Sequence, residues 1–203
     1  MFRSASIFLA CVILGTCFYG CSSDDVDEPT QTETDPTSAI PTTPDASDRP
    51  PVAPRDFGAA PGFQLEDLEG NLVSLADFEG QVVAINFWAT WCAPCRREVP
   101  EFIEIQAEHQ DEGFTILGIS RDIERENGKF IRNEEVVQDF VTEFQVNYPV
   151  LWDTKNVYID KYQGFGMPTT VILDRDHKIR FRHNQIVDKV TFSAEVQMLL
   201  NEG

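Results

Sequence analysis

Two cysteines, Cys92 and Cys95, stand two residues apart in NFWATWCAPCRREVP, residues 86–100. Thiols at this spacing can hold a metal, staple a loop or exchange electrons. A structural zinc site usually takes four ligands. His177 and His183 have a suitable spacing on paper, but KIRFRH (residues 178–183) reads as a strand. Six residues at about 3.3 Å each separate those imidazoles by roughly 20 Å, and one zinc with bonds of about 2 Å does not span that gap. As a staple, the pair closes too short a loop to remove much entropy from the unfolded chain. Electron exchange accounts for the neighbours as well. A thiolate at a helix N-terminus meets free N–H groups and the positive end of the dipole, which lowers its pKa from about 8.5. Cys92 at the helix start is then the exposed nucleophile, and Cys95, one turn on, resolves the mixed disulfide. Pro94 falls in the first turn, where its missing N–H costs nothing. Trp88 and Trp91 flank the pair; Trp91 reads either as a platform for substrate or as packing.

Positioning such a pair takes a strand before it and a helix after it. QVVAINFW (81–88) is a continuous apolar run expected to form a buried strand. The helix is expected from about Cys92 to Glu108. FQLEDLEGNLVSL (63–75) alternates around Glu69-Gly70 as a β-hairpin does. FTILGIS (114–120) predicts a second buried strand, and EEVVQDFVTEFQ (134–145) an amphipathic helix with Val137, Phe140, Val141 and Phe144 inward. TTVILD (169–174) and KIRFRH predict an antiparallel pair, and a last helix runs from about Lys189 to Leu200. Residues 121–133, RDIERENGKFIRN, read as a charged, solvated loop. The order βαβα then ββα gives an α/β domain with a mixed sheet.

WCAPC, followed much later by GMPTT, resembles the W-C-x-P-C and x-Pro-Thr of thioredoxins. The longer NFWATWCAPCRREVP, with the hairpin preamble and GMPTTVILD, is similar to the TlpA/ResA-like thiol–disulfide oxidoreductases, within the redoxin and AhpC/TSA-like thioredoxin superfamily. The resemblance covers roughly residues 56–203. It implies a thioredoxin-like α/β fold: a central mixed β-sheet flanked by helices, with an N-terminal β-hairpin. It implies a Cys92–Cys95 redox disulfide and no cofactor. Pro168 matches the family's cis-proline beside the disulfide, the alternative being an ordinary trans turn. Met167 would offer backbone groups to an extended substrate. Pro100 matches a helix kink. Glu98 matches an acid near the active site, where a carboxylate beside a buried thiol can have a raised pKa; a surface helix glutamate is the competing reading. Thioredoxins carry a buried Asp six residues before the first Cys, whereas this chain has Asn86, which cannot titrate. His177 stands where the family usually places a turn Gly, and must tolerate a left-handed conformation. His109 and His183 suggest no partner.

The N-terminus reads as an export signal: Arg3, then an apolar run from Ile7 to Tyr19 that is too short to span a bilayer. FYGC ends it at Cys21, in the manner of a bacterial lipoprotein signal, with Cys17 a second candidate for lipidation and a plain secretory signal the alternative. Residues 1–20 are thus expected to be signal and residues 21–55 a Pro-, Thr- and Asp-rich disordered tether. Residues 56–203 are the folded domain, in which Cys92 and Cys95 are the only thiols. Export puts the pair where disulfides persist; Ser22 resembles outer-membrane sorting in Gram-negative cells. The chain has 203 residues, with 34 acidic against 16 basic side chains. That surplus disfavours nucleic acid and anionic lipid as partners.

These readings converge on an extracytoplasmic oxidoreductase, anchored to a bacterial membrane by lipid alone. Its expected partners are exported proteins containing disulfides, apocytochrome c among them, and a membrane or extracytoplasmic thiol donor. Two alternatives stand beside it. A peroxiredoxin-type peroxidase places Thr three residues before its active Cys, where this chain has Ala89. A Sco-like copper carrier uses C-x-x-x-C with a distal His, one residue longer than the spacing here.

Overall fold

In the hairpin predicted at residues 63–75, β1 (Gln64–Glu66) pairs antiparallel with β2 (Leu72–Ser74). Asp67 shapes the turn by accepting from the backbone N–H of Glu69 and Asn71, and Gly70 takes φ 88°. Ser74 caps a short 3-10 turn, Leu75–Phe78, in a reciprocal box with Asp77. The computed structural model describes residues 53–202. The signal (1–20), the lipidation candidates Cys17 and Cys21, and all but the last residues of the proposed tether lie outside the described residues.

β3 (Val82–Trp88) and β4 (Phe114–Ser120) are buried along their whole lengths. They pair in parallel, and β4 carries a third parallel strand, β7 (Val150–Trp152). On the other side β8 (Thr169–Leu173) runs antiparallel to β3, and β9 (Ile179–His183) antiparallel to β8. The five-stranded order is β7-β4-β3-β8-β9, a mixed sheet. Alternation along β3 divides the core. Val82, Ala84 and Trp88 meet Phe102 and Ile105 of α1 (Ala93–His109), Val137 and Phe140 of α2 (Glu134–Phe144), and Phe192 and Val196 of α4 (Lys189–Leu200). Val83, Ile85 and Phe87 meet Leu65 of the hairpin and Val157 and Tyr158 of the short α3 (Val157–Asp160).

Two features differ from the sequence reading. Residues 121–133 are not a loop: β5 (Ile123–Glu126) and β6 (Lys129–Arg132) form a hairpin. Its turn is Asn127-Gly128, with φ 51° and 80°, and an Asn-Gly pair with both φ positive favours this connection. β7 and α3 were also absent from that reading, being three and four residues long. Among the described residues, no helix is long and apolar enough to cross a membrane.

Candidate active site

β3 ends at Trp88 and delivers the chain to Cys92, which is the N-cap of α1 rather than its first helical residue. Cys92 and Cys95 are bonded, with S–S 2.07 Å. The Cys95 backbone N–H donates to Cys92 Sγ at 3.3 Å, so the cap position brings a helix-start donor onto the sulfur expected to carry charge. Cys92 keeps 5% of its surface exposed and Cys95 none. The nucleophile expected to be open is therefore nearly covered, yet it remains the more accessible of the two cysteines. Trp91, beside it, is 68% exposed, so it is not core packing. Pro94 occupies the first turn, and Pro100 lies inside α1, where it leaves the Arg96 carbonyl without its usual helical donor. Arg96 lies over the rings of Phe140 and Phe144 at 5.0 and 5.1 Å and so ties the first turn to α2.

The register of β3 places Asn86 opposite Thr170 of β8. Asn86 Nδ2 donates to Thr170 Oγ1 and to Glu98 Oε1, both at 2.9 Å. Glu98, one turn after Cys95, is buried rather than on the helix surface. Burial pushes its carboxyl up to about 8, and the Asn86 amide and the backbone at Val187 offset only part of that rise. Among the described residues its second oxygen, Oε2, has no hydrogen-bond partner, and neither has Asn86 Oδ1. A buried carboxyl with an unpartnered oxygen and a pKa near neutrality is equipped to take or give a proton. Asn86 does not titrate, but it holds the group that does. That contact joins residues twelve apart on two elements, and the sequence offers only Asn86 itself as a signal.

The Met167–Pro168 peptide is cis. Pro168 is buried and Met167 half-buried at the start of β8. The loop before it is fastened by Tyr158 of α3, a residue that no sequence signal marked. The Tyr158 hydroxyl donates to the Gly166 carbonyl, and Gly164 lies against the ring so closely that an added Cβ would stand 1.8 Å from it. Asp153 supports α3 in turn, accepting from the Val157 N–H and from Arg121.

The histidines lie elsewhere. His177 takes the left-handed turn at φ 56° and bonds the Phe78 carbonyl through Nε2. His109 pairs with Glu112, and His183 with the buried Glu195 at 2.7 Å.

A mixed sheet whose β3–α1 junction carries C-x-x-C, and whose neighbouring strand β8 follows a cis-proline, defines a thioredoxin-like protein. The chain belongs to the AhpC/TSA family, matching it over residues 58–182. It is 32% identical over 120 residues to the thiol-disulfide oxidoreductase ResA of Bacillus thuringiensis, covering 59% of this chain and 64% of that protein. It is 36% identical over 125 residues to ResA of Oceanobacillus iheyensis, covering 60% of each. The chain thus spans slightly less than two thirds of the length of these relatives. Among solved structures it resembles a DsbE-type thiol:disulfide interchange protein from Chlorobium tepidum, with TM-score 0.60 and 28% identity over 73% of this chain and 99% of that one.

Proposed function

We propose that this chain is a thiol–disulfide oxidoreductase that reduces disulfides in exported proteins. The observation that carries it is the Cys92–Cys95 bond at a helix start, its more exposed cysteine at the cap and a buried, proton-competent Glu98 one turn on. The Cys92 thiolate attacks one sulfur of a client disulfide. The Cys92–client bond forms, the client S–S bond breaks, and one client thiolate leaves. The Cys95 thiolate then attacks the Cys92 sulfur and expels the second client thiolate. Two electrons pass to the client, the pair ends as the disulfide, and an extracytoplasmic dithiol donor must restore it. The ionised fraction of Glu98, which grows as pH approaches 8, accepts the proton that Cys95 gives up before its attack. Met167 and Trp91 contact the client beside Pro168.

Export and lipid attachment at Cys21 are proposed on the N-terminal sequence, and apocytochrome c as a client on the family resemblance. Thr90 gives its hydroxyl to Asp122 at 2.5 Å, which argues against a role for it in holding peroxide. The test is the equilibrium reduction potential of the pair in the full chain. A value near about −270 mV supports a reductant, whereas one near about −120 mV would make the disulfide the active form and overturn the direction of electron flow.

A further inference from the structure

Two residues before Met167, Phe165 is 90% exposed. A single exposed aromatic is ordinary; this one has a particular setting. Its backbone is fixed on both sides by Tyr158, through the Gly164 contact and the hydroxyl bond to Gly166. It forms one wall of a groove of about 390 Å³, which Phe57, Pro61 and Ile179 also line. Phe57 is half exposed. The cations Lys161 and Arg182 also line it, and among the described residues no carboxylate does. Each cation bonds a backbone carbonyl, Gly62 for Lys161 and Tyr162 for Arg182. Neither forms an ion pair among the described residues. In a chain with 34 acidic side chains against 16 basic ones, an acid-free pocket holding two cations and two open phenylalanines runs against the overall charge.

We propose that this groove is a client subsite for an extended polypeptide segment carrying an aromatic or large apolar side chain next to a carboxylate. The inference rests on the oxidoreductase reading and adds a preference to it. Two residues of chain span at most about 7 Å, so a client strand laid along Met167 brings a residue a few positions from its cysteine over Phe165. The aromatic side chain enters between Phe57 and Phe165, and the carboxylate meets Lys161 and Arg182. Asp56 and Asp160 adjoin Phe57 and Lys161 in the chain but do not line the groove, so the charges that face its interior are the two cations.

The test uses the reduced full chain and three disulfides. Hydroxyethyl disulfide, small and uncharged, reports the exchange chemistry alone. Two peptides, each with its single cysteine capped by 2-mercaptoethanol, carry Phe-Glu or Phe-Lys beginning three residues from that cysteine. The subsite predicts a KM about fivefold lower for the Phe-Glu peptide, the worth of roughly 1 kcal/mol of exposed charge pairing, at similar kcat. Lys161→Gln should narrow that gap, and Phe165→Ser should raise KM for both peptides, with the hydroxyethyl disulfide rate unchanged in each. Equal KM values, or a preference for the Phe-Lys peptide as net charge alone would dictate, overturn the subsite while leaving the oxidoreductase reading intact. Failure to reduce hydroxyethyl disulfide overturns that reading, and the subsite with it.

Discussion

Glu98 is the residue whose ionisation the fold controls most plainly. The unfolded chain releases this proton near the ordinary glutamate value of 4.5, and the folded chain holds it up to about pH 8. Between those values the unfolded state binds fewer protons, so stability falls as pH rises through the window. Each pH unit of the gap is worth about 1.4 kcal/mol. Glu98→Gln, which keeps the shape and cannot ionise, should therefore flatten the pH dependence of stability and gain a few kcal/mol at pH 8, read from urea unfolding at pH 5 and pH 8. An unchanged slope would show that Glu98 is ionised in the folded protein at neutral pH. The same substitution should remove an inflection near pH 8 from the rate of client reduction. The sequence marks Glu98 only by resemblance and leaves a surface location open. What decides it is the opposition of Asn86 and Thr170 in the β3–β8 register, a long-range fact that no local pattern carries.

Legibility at the scale of elements follows length and burial. β3, β4, α1, α2 and α4 show in the sequence because long apolar runs or helical stripes repeat their signal. β7 and α3 are too short to repeat it, and their placement depends on pairing with β4 and on Asp153. The β5–β6 hairpin is legible from Asn127-Gly128, but the charges around that pair point equally to a solvated loop. The α3–β8 connection carries a prediction of its own. A Cβ on Gly164 cannot coexist with the Tyr158 ring, so Gly164→Ala should destabilise the domain by about 1–3 kcal/mol through overpacking. In a Tyr158→Leu background the same change should cost clearly less, because the two substitutions share one space. Additive losses in denaturant unfolding would show that the ring does not set this loop.

For the whole molecule, β9 would be an open edge if the chain before β1 did not run along it. Arg55 and Phe57 donate to the carbonyls of Arg180 and Ile179, Ile179 donates back to Gly58, and Ala60 donates to His177, all within 3.0 Å. An uncovered strand edge is a template for another chain. A chain beginning at Pro61 should lose a few kcal/mol, at about 1 kcal/mol per hydrogen bond, and should self-associate in sedimentation velocity. Unchanged stability and a monomer would make this segment dispensable. The same segment carries Phe57 to the groove beside the active-site loop, so one stretch of chain both closes the sheet and borders the proposed client site. The central claim is that Cys92 attacks and Cys95 resolves. The most direct measurement is mass spectrometry of the full-length Cys95→Ser and Cys92→Ser variants, each reduced, incubated with a disulfide-bonded protein substrate and digested, so that adducts at Cys92 or Cys95 are counted apart from any at Cys11, Cys17 or Cys21. Cys95→Ser should accumulate a covalent adduct of chain and client that a thiol reductant releases, and Cys92→Ser should form almost none. Adducts in equal yield from both variants, or from Cys92→Ser alone, would contradict the account.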